Sequence, residues 1–284
     1  MPNRLAVTPQ YLLPKRLLTV FAGHVANMRG GAVTHAIIRK FIATYRVNME
    51  EAADPRIESY ATFNDFFTRA LQPGARPIAD APFVCPVDAA ISQFGPIEHD
   101  QIFQAKGHSY STRALVGGDQ ALAHQFDHGH FATLYLAPKD YHRIHMPCEG
   151  RLRRMIYVPG DLFSVNPLTA RHVPSLFARN ERVVCVFDTP HGPFVNVLVG
   201  ATIVGSIATV WHGVVNPPRT RDVREWRYDD QDIVLAKGVE MGRFLLGSTV
   251  VMLFPKNIVT FMANWAPTRP VRLGEPMATV AGPY

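Results

Sequence analysis

The stretch Phe194–Trp211, FVNVLVGATIVGSIATVW, decides the fold. It runs 18 residues without a charge, long enough on that count for a membrane-spanning helix. Its residue types argue against one. Asn196, Gly200, Thr202, Gly205, Ser206 and Thr209 lie among β-branched side chains, which suit a pleated surface better than a helix. The stretch therefore reads as two strands around a turn.

The same texture extends in both directions. Short β-branched runs alternate with Gly, Pro and Asp at Phe131–Leu136, Arg151–Val158, Arg182–Asp188, Ser248–Phe254 and Met277–Val280. From about Phe83 onward this predicts a mostly antiparallel β core, sandwich- or barrel-like. No βαβ rhythm, internal repeat or Gly-rich phosphate loop is present, which argues against nucleotide chemistry. Arg219–Asp232 reads as a solvated loop or insertion.

The N-terminal part differs. Residues 1–49 hold seven basic side chains and no Asp or Glu, while the whole chain carries a net charge of only +6. The remainder is thus nearly neutral. Tyr11 to about Tyr45 has helical periodicity, with Leu12, Leu13, Leu17, Leu18 and Phe21 as one apolar stripe and Ile37, Ile38, Phe41, Ile42 and Tyr45 as another. Met28–Gly31 separates the two helices. A basic, apolar, acid-free pair of helices fits an anionic membrane surface; the alternative is that both stripes pack on the core. A third helix is predicted over Thr62–Leu71, capped by Thr62 or Asn64 and stopped by Pro73-Gly74. The expected class is α+β, with amphipathic helices in residues 1–72 and a β-rich catalytic domain in 73–284. The three cysteines, Cys85, Cys148 and Cys185, lack a CxxC spacing and fit a reduced compartment. The N-terminal residues show neither the apolar core nor the cleavage site of a secretory signal.

Four pieces carry potential chemistry. Asp88 follows Pro86-Val87 at a strand edge, where a plain turn Asp is the simplest reading. His142 and His145 stand three apart in YLAPKDYHRIHMP, and His moves protons near neutral pH. Cys148 extends them to a ligand-like spacing, but no fourth ligand or second cluster accompanies them, so no metal is expected. VPGDLFSVN and LFARNER read as turns around strands, with exposed aromatics able to line an apolar pocket. Finally, Gly247-Ser248 sits inside the apolar run FLLGSTVV, where a close-packed strand glycine is the bland alternative.

Together these segments resemble the phosphatidylserine decarboxylase proenzymes. The resemblance rests on FNDFFTRALQPGARPI (Phe63–Ile78), Pro86–Asp88, YHRIHMP, VPGDLFSVN, LFARNER, VGATIVGS and KGVEMGRFLLGSTV. It covers nearly the whole chain. It implies that Ser248 attacks the Gly247 carbonyl, and that the resulting ester undergoes β-elimination and hydrolysis to a pyruvoyl group with loss of ammonia. Residues 1–247 become a large chain and 248–284 a small one, held as a heterodimer that can dimerise further. Glycine suits the strained rotation that such an attack needs. In the family pattern Asp88 orients His145, His145 activates Ser248, and His142 protonates the carbon that loses CO2. The pyruvoyl cofactor derived from Ser248 forms a Schiff base with the substrate amine and serves as electron sink. The implied partner is phosphatidylserine in an anionic membrane, with no nucleic acid, and the implied location is the cytoplasmic face of the cell membrane, held peripherally.

Two other readings compete. A serine hydrolase would leave the chain whole, and Val250 stands where a GxSxG elbow needs glycine. A non-catalytic lipid-binding β domain would make the glycine-serine pair simple packing.

Overall fold

The computed structural model describes residues 7–202, 206–216, 219–247 and 249–281. Helices α1 (Pro9–Leu12), α2 (Lys15–Asn27) and α3 (Ala32–Tyr45) come first. Pro14 separates α1 from α2, and Gly31, at φ 52, starts α3. The two apolar stripes have different fates. Ile38 is fully buried, and Phe41 and Ile42 pack with it against Tyr60, Phe63, Phe66 and Phe67. Leu12, Leu17 and Phe21 remain 84%, 72% and 69% exposed.

Helix α4 (Phe63–Phe67) is capped as its sequence predicts: Thr62 and Asp65 form a reciprocal capping box. It is shorter than expected and ends well before Pro73. Beyond it, Ala53 N donates to Ala70 O and Gln72 N to Glu51 O, which draws the chain out of the helix and along residues 51–53.

All paired strands are antiparallel among the described residues. The main strands are β1 (Ala89–Pro96), β2 (His130–Tyr135), β3 (Arg143–His145), β4 (Gly150–Val158), β5 (Arg182–Thr189), β6 (Gly192–Val199), β7 (Ser206–Thr209), β8 (Glu240–Leu245) and β9 (Thr249–Phe254). The largest sheet runs β4-β5-β6-β9-β2-β1, flanked by Arg224–Arg227 beside β4 and Pro270–Val271 beside β1. A second sheet places β8 between β7 and β3. Its Ile144, Ile207, Met241 and Phe244 pack into one core with Val250, Met252 and Phe254 of β9. Val251 and Leu253 enter a second core, with Phe126, Phe163 and Phe177. Strand β9 is thus buried on both faces, as its unbroken apolar run TVVMLF allows.

The Phe194–Trp211 stretch does form two strands, β6 and β7, but they belong to different sheets. No helix among the described residues is long and apolar enough to cross a membrane. Two expectations are corrected. Arg219–Asp232 is more than a loop: Arg224–Arg227 pairs with β4, and its side chains alternate between half-buried and exposed. The aromatics of VPGDLFSVN and LFARNER are also not exposed. Phe163 and Phe177 are core residues, because Asn180 bonds Phe163 N, Phe163 O and Gly200 O and pins the two segments together.

Candidate active site

The Gly247 region is a corner between sheets. Strand β8 ends in the second sheet at Leu245, and β9 begins in the large one at Thr249. Leu246, between them, adopts φ 100, a conformation that L side chains rarely take. Its side chain packs on the aromatic cluster under α3 and α4. Ser248 lies outside the described residues.

His142 faces this corner. Among the described residues beyond its chain neighbours, a Cβ built on Gly247 would meet within 4 Å only His142 Nε2, at 3.7 Å. The ring is fully buried and lies 4.1 Å from the Phe67 ring, centroid to centroid. Its Nδ1 is 2.7 Å from Asp140 O. A carbonyl only accepts, so Nδ1 carries the proton and Nε2 the lone pair. Among the described residues that Nε2 has no hydrogen-bond partner. Burial lowers the ring's pKa to about 3, so it is neutral. At the next described residue after position 248, the Thr249 hydroxyl is also buried and has no partner among the described residues. An unmet buried polar atom costs on the order of 1–3 kcal/mol; one of these two faces Gly247 and the other is on Thr249. Of the two, the Thr249 hydroxyl can donate to a carbonyl-bearing group formed from residue 248, whereas the His142 Nε2 lone pair calls for a donor.

His145, on β3, is engaged at both nitrogens. Nδ1 lies 2.8 Å from Gly238 O, and Nε2 lies 3.2 Å from the Tyr141 hydroxyl. Burial lowers its pKa. Asp88 is held elsewhere. Arg76 Nε donates to both of its oxygens, at 2.9 and 3.1 Å, and Nη2 adds a third contact at 2.5 Å. Leu273 N donates to Asp88 Oδ1 at 2.9 Å, and Arg76 also reaches Glu51 at 2.6 Å. Among the described residues no hydrogen bond joins Asp88 to His145. Asp88 acts on that ring only as a distant charge, weaker than Glu240 and Arg143. The structure therefore brings His142 to Gly247, places His145 one strand residue-pair from Glu240, and gives the Asp88 carboxylate to Arg76.

Several residues here escaped the sequence reading. Arg76 lies in the quoted GARPI run and Tyr141 in the YHRIHMP run, but neither announces its partner. Asp140 accepts from Ala137 N at 2.7 Å, and burial raises its carboxyl to about 6. An apolar groove of about 550 Å³ opens between α2 and α3, lined by Phe21, Ile37, Phe41, Tyr45, Phe63 and Leu246. It ends one residue from Gly247, with Lys40 also on its wall.

A family model described as phosphatidylserine decarboxylase matches residues 63–279, and a second, described as PSD, matches residues 5–46. The chain belongs to the phosphatidylserine decarboxylase family. It is 72% identical over 284 residues to the phosphatidylserine decarboxylase proenzyme of Polaromonas naphthalenivorans (strain CJ2), covering 99% of this chain and 98% of the relative. It is 71% identical to the protein of the same name in Variovorax paradoxus (strain S110), covering 99% of both chains. The corresponding figure for Dechloromonas aromatica (strain RCB) is 67%, covering 99% of this chain and all of the relative. The two matches cover helices α1–α3 and, from the start of α4, the strands of this phosphatidylserine decarboxylase relative.

Proposed function

We propose that the chain is a self-cleaving proenzyme that decarboxylates phosphatidylserine to phosphatidylethanolamine and CO2, using a pyruvoyl group made from Ser248. The observation that carries this reading is the His142 Nε2 against Gly247, without a partner among the described residues, at a corner with an unfavourable Leu246 conformation.

In the proposed division of labour, His145 takes the proton from the Ser248 hydroxyl as it attacks the Gly247 carbonyl. Asp88 supports His145 through its charge while Arg76 and Leu273 fix its place. When present, the pyruvoyl group supplies the electron sink for loss of CO2. His142 begins neutral. It is placed to take the proton that a substrate ammonium must shed, and to return it to the carbon left by CO2. The buried setting under Phe67 favours return to carbon over leakage to solvent.

Residues 1–72 form the membrane-associating part in this reading, at the cytoplasmic face. The exposed Leu12, Leu17 and Phe21 enter the interface, Lys15 and Arg16 meet anionic headgroups, and the groove between α2 and α3 receives acyl chain. Residues 1–247 and 248–284 stay together as the working unit.

Intact-mass measurement of the purified protein tests the reading. Two chains are expected, the smaller beginning at position 248 with a carbonyl terminus that borohydride reduces. A single uncut chain in active preparations would refute it.

A further inference from the structure

His145 offers no free nitrogen. Its Nδ1–H points to Gly238 O, and that carbonyl is firmly held: Gly238 N donates to Met146 O, and Gly238 has φ 79, with Ile78 2.8 Å from where a Cβ would sit. This contact fixes the tautomer, leaving the lone pair on Nε2. The lone pair faces the Tyr141 hydroxyl at 3.2 Å. Tyr141 is 6% exposed, and burial pushes its phenol to about 12, so it remains a donor at every working pH. The other charged groups around the pair are Arg143 on β3 itself, Glu240 and Arg243 on the neighbouring β8, the buried Arg69 beside Tyr141, and Asp88 beyond. Glu240 is bound to Arg143 and Arg243, at 2.9 and 2.8 Å, so these three are internally paired and leave Tyr141 as the ring's direct partner.

We infer that Tyr141 is a positioning residue for self-cleavage, competing with the Ser248 hydroxyl for His145 Nε2. The inference rests on His145 being the base in that step. Before Ser248 can transfer its proton, the Tyr141 hydrogen bond must open, and the proton then passes from Ser248 Oγ to Nε2. Tyr141 itself gains and loses no proton. It holds the ring's lone pair in one place and withholds it for most of the time.

The competition has a defined pH signature. The hydrogen bond forms only to the neutral ring, so it lowers both the fraction of free base and the apparent pKa of the ring. Removing it raises the plateau rate by about fivefold, the equilibrium factor of one ordinary neutral hydrogen bond. The acid limb of the profile moves up by the logarithm of the same factor, about 0.7 pH unit. The two changes cancel in acid. Tyr141→Phe and the unaltered chain should therefore cut at equal rates below the limb and diverge above it.

The test is cell-free synthesis of the full chain with a pulse of label, transfer to buffers of graded pH, and timed appearance of the small chain. Tyr141→Phe should show equal rates in acid and a plateau about fivefold higher. A 3,5-difluorotyrosine at position 141, a stronger donor of nearly equal size, should lower the plateau instead. A slower Tyr141→Phe with an unmoved limb would mean a packing role alone and would overturn the inference, as would an unchanged profile in both variants. His145→Gln separates the layers. If that variant still cuts, the base assignment fails; if it stays whole while Tyr141→Phe behaves like the unaltered chain, only the role of Tyr141 fails.

Discussion

Arg76→Met strips a buried carboxylate of its main partner, and the structure sets the size of the effect. The Arg76 and Asp88 side chains are 7% and 11% exposed. Asp88 loses three contacts from the guanidinium and keeps Leu273 N. Removing one member of such a pair costs about 3–5 kcal/mol, because the remaining charge stays buried. Glu51 also loses Arg76, but it is 25% exposed and retains Arg272 at 3.4 Å, so it adds less than about 1 kcal/mol. The expected loss is about 4 kcal/mol, a large part of a domain's stability of about 5–15 kcal/mol. Adding Asp88→Asn removes the unpaired charge while its amide oxygen still accepts from Leu273 N. About half of the loss should return in the double variant. Urea unfolding followed by tryptophan fluorescence measures both, in a Ser248→Ala background that keeps one chain in every sample. A loss below about 1 kcal/mol for Arg76→Met would show a pair that behaves as if solvated. No recovery in the double variant would show that charge burial is not the cause.

Three further outcomes are expected. His145→Ala should leave the chain whole, whereas His142→Ala should cut normally yet release no CO2 from phosphatidylserine; two uncut variants on a gel would end that division of roles. Leu12→Asp with Leu17→Asp should weaken binding to anionic phospholipid vesicles more than tenfold, since each exposed leucine is worth about 1.5–3 kcal/mol on burial. Melting temperature should not change, and unchanged sedimentation with vesicles would remove these residues from the membrane contact. Asp140 has a folded pKa of about 6 against 3.8 for the free side chain, so the native state binds its proton more tightly. The stability this gives is complete below about pH 4 and lost as pH rises through 6. Over that window Asp140→Asn should gain on the unaltered chain by on the order of 3 kcal/mol, and parallel stability curves from pH 4 to 7 would contradict the assignment.

What the sequence made legible follows from locality. β-Branched runs between turn residues placed β6 and β9, and Thr62, one of two candidate caps, marked the start of α4. These signals act over a few residues. The Asp88–Leu273 contact, at the centre of the Arg76 cluster, joins positions 185 residues apart, and no local pattern encodes such a meeting. The two N-terminal stripes illustrate the same limit. Both are apolar at helical spacing, but Ile38 is core and Leu17 is surface, and only the position of α4 tells them apart. Arg224–Arg227 looked soluble because its charges dominate its composition, while Trp226 and the Arg224 stem cover the edge of β4.

The corner at Gly247 also explains how a chain cut there would survive as a unit. Leu246 and Gly247 have no register partner in either sheet, so a break between 247 and 248 removes no ladder pairing that the described strands make. On the far side, all six residues of β9 pair with β2, five of them also pair with β6, and every side chain is buried. Pro276–Val280 adds a second attachment between Phe83–Val84 and Val259–Phe261, and Leu273 N reaches Asp88. Strand β9 sits inside the sheet, with neighbours on both edges, so it cannot leave without opening the large chain's core. The cut would therefore be costly for the small chain only in the freedom it grants to the new ends, and the Gly247 end lies beside His142. A bond whose scission preserves every pair that the described strands make is one that the fold can give up while keeping the site assembled.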